Sequence, residues 1–159
     1  MTLLRDFLDT WASIYANHAT LRAAIAFFHV GGLVIGGGSA IAADRLTLRL
    51  FRRPADRRTQ WGVLHGTHRV VLGGLAAVVV SGILLFAADV ESFLYSGVFW
   101  LKIGLFVALL INGAALVHAG NQVERGNDGS WNRLATSSAL SVVLWLTTTL
   151  VGAALPNFI

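Results

Sequence analysis

The stretch Val70–Ala88, VVLGGLAAVVVSGILLFAA, runs for 19 residues without a charged side chain. A helix rises about 1.5 Å per residue and needs about 20 apolar residues to cross the hydrocarbon core of a bilayer. Three more stretches have the same character: Ala23–Ala43, Ile103–Val123 and Leu134–Ile159, of 21, 21 and 26 residues. A soluble fold has no use for four such segments in 159 residues. Only 13% of the chain is charged and 55% is hydrophobic, whereas soluble domains carry about 25% charged residues. The sequence therefore predicts an all-α integral membrane protein. Its expected core is a four-transmembrane-helix antiparallel bundle over 21–159, with spans near 22–44, 68–88, 98–119 and 134–155.

Outward from the spans, residues 1–20 have a different pattern. Leu3, Leu4, Phe7, Leu8, Trp11, Ile14 and Tyr15 recur at the 3–4 spacing of one helical face, with Arg5, Asp6 and Asp9 on the others. This predicts an N-terminal amphipathic surface helix, with a cap packed over the bundle as the equal alternative. The same three charges interrupt the stretch before an apolar core develops, so no secretory signal peptide is expected. Within the long link Asp44–Arg69, Pro54 is expected to separate a helical extension of the first span from a second short segment. Gly126, Asn127, Asp128 and Gly129 form a turn composition. Short links favour an up-down-up-down order with consecutive helices as neighbours.

Charge gives an orientation. Arg45, Arg49, Arg52, Arg53, Arg57, Arg58 and Arg69 lie between the first two spans, and Arg125 and Arg133 between the last two, nine of the twelve Lys and Arg. The positive-inside rule places these loops in the cytoplasm and both termini outside. The formal net charge of +4 then reflects orientation and anionic lipid, and no nucleic-acid partner is expected. Zero cysteines exclude disulfides, iron–sulfur clusters and thiolate zinc sites.

Small residues indicate where helices approach. Gly32, Gly36 and Ala40 are spaced by four, as are Gly73, Ala77 and Ser81, a stripe that lets backbones pack closely in lipid. The denser run Gly36–Gly38 leaves open a second reading, room for a flat cofactor.

Ionisable groups inside spans are costly and mark candidate sites. They are His29, Lys102 and His118, with His68 opening the second span. None of the uncharged stretches contains Asp or Glu, which counts against a proton-coupled transporter. Helix rise sets two levels, His29 with Lys102 outside and His68 with His118 inside. Two imidazoles at one depth on facing helices suit the axial positions of a haem iron. Arg45, Arg49 and Arg69 stand near the inner level for the propionates, and His65 is an alternative ligand one turn from His68. His29 with His18 is the second-ranked pair. Equally open is the plain reading that His68 and His118 are polar helix ends. Lys102 and His118 are sixteen residues apart, about 160° around a helix. Hence either Lys102 reaches outward or His118 faces lipid or a second subunit.

The first span reads Phe28-His29-Val30-Gly31-Gly32, with Arg45-Leu46 following; the third opens Val98-Phe99-Trp100-Leu101-Lys102 and continues through Ile111-Asn112-Gly113. In these motifs the chain resembles the small four-helix membrane proteins related to bacterial haem-binding protoporphyrinogen oxidases and copper-resistance D-type proteins. The resemblance implies haem b, a bacterial inner-membrane location, and His29 and Lys102 as site positions. Those oxidases carry a histidine eleven residues after the lysine, where this chain has Gly113. A b-type cytochrome moving electrons is therefore the expected function, with a membrane redox partner or quinone and a homo-oligomer as possible associations beyond the lipid bilayer. A porphyrinogen oxidase-like enzyme and a cofactor-free accessory subunit of a larger complex are the alternatives.

Overall fold

The computed structural model describes Thr2–Arg53 and Arg57–Phe158, with side chains from Leu3 to Arg53 and from Gly66 onward. Its elements are α1 (Thr2–Asn17), α2 (Ala19–Gly32), α3 (Gly38–Arg52), α4 (Arg57–Ala88), α5 (Val90–Tyr95), α6 (Gly97–Glu124) and α7 (Ser130–Ala154). No strand occurs among the described residues. Four helical stretches are long and apolar enough to cross a membrane: Ala19–Arg52, Gly66–Ala88, Gly97–Glu124 and Ser130–Asn157. These are the four segments expected from sequence, with longer ends.

The first stretch carries the helical extension expected between the first span and Pro54. α2 passes through a π turn at Leu33–Gly37 directly into α3, giving 34 helical residues, about 51 Å against a core of about 30 Å. Helix thus continues beyond Ala43, where the uncharged run stops, and carries Asp44 into the bundle at 4% exposure. Pro54 lies outside the described residues, and α3 and α4 stop and start on either side of it.

The packing order differs from expectation. α2 and the π turn lie against α4, α3 lies mainly against α7, and α6 packs along α7. α4 and α6, consecutive spans, hardly touch. At one end they are joined by α5 and a ring cluster, where Phe86 and Phe99 stack at 5.4 Å with Phe93 beside both. Asp89 and Ser96 cap α5 and α6 by accepting hydrogen bonds from the Ser92 and Phe99 amides. From that cluster the two helices splay apart, because α6 is fixed to α7. The buried Asn112 side chain donates to the Ser137 carbonyl at 2.9 Å, and the Glu124–Ser130 turn closes through Gly126 at φ 84°.

Close approach between α2 and α4 depends on glycine, with one change of register. A Cβ at Gly32 would lie 2.8 Å from the Gly74 carbonyl, and one at Gly36 would lie 3.0 Å from Gly74 Cα. The contact residue on α4 is therefore Gly74, while Gly73 has open space beside it. Gly37 is filled by the Trp145 ring, 2.9 Å from a notional Cβ. Gly36 and Gly37 are thus taken up by helix packing, whereas Gly38 has open space beside it.

α1 lies against α4 and α2. The Trp11 indole donates to the Leu84 carbonyl at 2.9 Å. Leu3, Leu4 and Phe7 remain 85%, 68% and 66% exposed, so the helix both docks on the bundle and presents an apolar edge. Its C-terminal carbonyls are met by Arg22, which donates to Tyr15 and Ala16, a favourable place for a cation.

Candidate functional site

Between the splayed α4 and α6 lies a cleft of about 830 Å³, within the range of ligand pockets. Its walls carry His68 and Arg69 on α4 and His118 on α6, its floor Asp44 on α3, and most of its remaining lining is apolar. The predicted inner pair is therefore brought to one cavity, across a gap instead of a helix contact. Both imidazoles are exposed at its surface. His118 also borders a second depression against α7, which puts it on a rim. Arg45 and Arg49 are exposed on α3 and do not line the cleft. The side chain of His65 lies outside the described residues.

At the floor, the Ser141 and Ser138 hydroxyls are within hydrogen-bonding reach of the Asp44 carboxylate, but Asp44 Oδ2 and Ser138 Oγ meet no partner in good hydrogen-bond geometry. This group was missed because Asp44 ends an uncharged run and precedes an arginine, where sequence reads a boundary. The signal that finds it is the amphipathic continuation of α3, whose buried residues Ala40, Asp44 and Thr47 recur at 3–4 spacing.

The outer level is assembled differently. His29 Nδ1 and Ser81 Oγ are 3.0 Å apart, and the ring lies over Gly82. Lys102 is close enough to act electrostatically on that imidazole. Its side chain lies over Gly152 of α7, with Cε and Nζ 3.4 and 3.6 Å from a notional Cβ there. His29 and Lys102 thus share a level, and Lys102 turns inward over α7. His18 does not join His29. Its Nδ1 is 2.8 Å from the Ile14 carbonyl, and continuous α2 separates the two histidines by about 16 Å. No cluster of three metal-binding side chains occurs among the described residues.

No family model, curated protein or solved structure matches the chain. The site has to be read from its own geometry.

Proposed function

We propose that the chain is a multi-pass protein of a bacterial inner membrane that holds haem b in the α4–α6 cleft and passes electrons through it. The observation that carries this reading is that His68 and His118 line one largely apolar cavity from helices that do not pack together. The residues present fit the group: His68 and His118 would hold the iron, the apolar lining would surround the macrocycle and Arg69 would pair with a propionate. Gly113, the position at which the resembling oxidases carry a histidine, lines the same cleft.

Bound haem b supplies reversible one-electron transfer. The chain's part is to position and shield it. α4 and α6 would hold the iron through the His68 and His118 imidazoles. Leu72, Leu75, Leu109 and Leu110 would keep water from the bound group. Arg69 would meet a carboxylate substituent by a charge-assisted hydrogen bond.

Absorption spectroscopy of detergent-purified protein tests this. The reduced wild type gives the sharp α-band of a low-spin bis-histidine b haem, and His68→Ala and His118→Ala each abolish it. Retention of the band in both variants with loss in His29→Ala moves the site to the outer level. A colourless wild type with haem supplied rejects the cytochrome and leaves the accessory-subunit reading.

A further inference from the structure

Three buried side-chain polar atoms among the described residues lack a hydrogen-bond partner: Asp44 Oδ2, Ser138 Oγ and Thr148 Oγ1. Orphaned polar atoms are rare in folded proteins, and a water or ion is a common reason for them. Hydroxyls on a helix have an easy partner in the carbonyl four residues back. Thr47, Ser81, Thr136, Thr147 and Thr149 all take it. Ser138 and Thr148 do not, although they are 0% and 7% exposed.

The orphans fall in one file. At 100° per residue, positions 138, 141, 148 and 152 of α7 occupy an arc of about 80° and span about 21 Å along the axis. Asp44 stands beside the first two. Lys102 lies over Gly152 at the other end, at the level of His29 and Ser81. Trp145 sits on the same arc with its ring against Gly37, narrowing the file between Ser141 and Thr148.

We propose that this file is a proton path across the bundle, with Asp44 as its acidic station on the cleft side. A proton from cleft water bonds to a carboxylate oxygen of Asp44 and passes to water beside Ser138. Each hydroxyl then accepts one proton and donates its own, and water carries the proton over the rise of about 10 Å from Ser141 to Thr148, so no hydroxyl changes its charge. The path emerges at the Lys102–His29 level. Other charged or titratable groups facing Asp44 are those of the cleft: His68 and Arg69 from α4 and His118 from α6. α7 presents only hydroxyls and Trp145 to it. A metal cation suits the file poorly, because one carboxylate and single hydroxyls offer it few ligands. The path does not depend on a cofactor in the cleft.

Proton flux into liposomes holding the full-length protein, as purified, tests the proposal. A trapped pH dye reports the flux and a potassium diffusion potential with valinomycin drives it. Wild-type vesicles are expected to take up protons at least several-fold faster than protein-free vesicles. Asp44→Asn and the near-isosteric Thr148→Val should return the rate to the protein-free level, and Asp44→Glu should restore part of it. Gel filtration identifies a misfolded Asp44→Asn, in which case Thr148→Val decides alone. Wild-type flux no faster than that of empty vesicles overturns the path, as does a Thr148→Val rate equal to wild type. Sodium uptake without proton movement also overturns it, in favour of a metal-cation site.

Discussion

Replacing Gly74 by alanine adds a single carbon at the tightest point of the bundle. That carbon would press on Gly36 Cα and stand 2.6 Å from Gly36 N and 2.7 Å from the Gly32 carbonyl. All three are backbone atoms, so no side chain can swing aside. Ordinary carbon contacts begin near 3.5 Å, so α2 and α4 must part by about 1 Å. Overpacking of this kind costs about 1–3 kcal/mol. Gly73→Ala is the matched control, since it makes the same change in helix propensity one residue away, where nothing lies within 4 Å. The two variants should therefore differ by the packing cost alone. At about 2–4 °C per kcal/mol for a chain of this size, the midpoint of Gly74→Ala falls about 2–12 °C below that of Gly73→Ala. Thermal unfolding in one detergent, followed by circular dichroism, measures the difference. Equal midpoints, or Gly74→Ala the more stable, would refute the backbone crossing. They would also remove the reason for His29 and Ser81 to sit face to face.

Two further outcomes follow from named contacts. Gly152→Ile occupies the space in which Lys102 Cε lies and should drive the amine outward. Lys102 then becomes more reactive toward a water-soluble acylating reagent, read by mass spectrometry, and unchanged labelling would count against its inward course. The nine-to-three split of basic residues predicts that reporters fused after residues 57 and 158 lie on opposite sides of the membrane, the first in the cytoplasm. A cytoplasmic reporter after 158 reverses the orientation and exchanges the inner and outer levels.

The four long apolar helices were legible because an apolar run of membrane length is a signal that survives without tertiary context. Helix neighbours were not legible, since α6 is fixed to α7 by Asn112 and by the tight turn, and neither choice leaves a trace in hydropathy. The stripe on α4 was read one residue out of place. Gly73 and Gly74 are both small and only about 100° apart, so only the crossing itself distinguishes them. His68 and His118 line one cavity, but a reading by depth cannot tell helices in contact from helices on either side of a cavity. Asp44 was hidden by its position, where a carboxylate beside Arg45 looks like the edge of the lipid. The helix continues for two more turns and buries it.

The π turn at Leu33–Gly37 makes a single rod serve two separate contacts. One extra residue in a turn advances all that follows by about 100°. The half before the turn meets α4 through glycine backbone, whereas the half after it meets α7 through Asp44, Ala40 and Thr47. A small unwinding or tightening at this swivel would rotate Asp44 relative to Ser138 and Ser141 while the Gly32–Gly74 crossing stayed anchored. The two depths of the bundle are thus mechanically separable, although one uninterrupted helix runs through both.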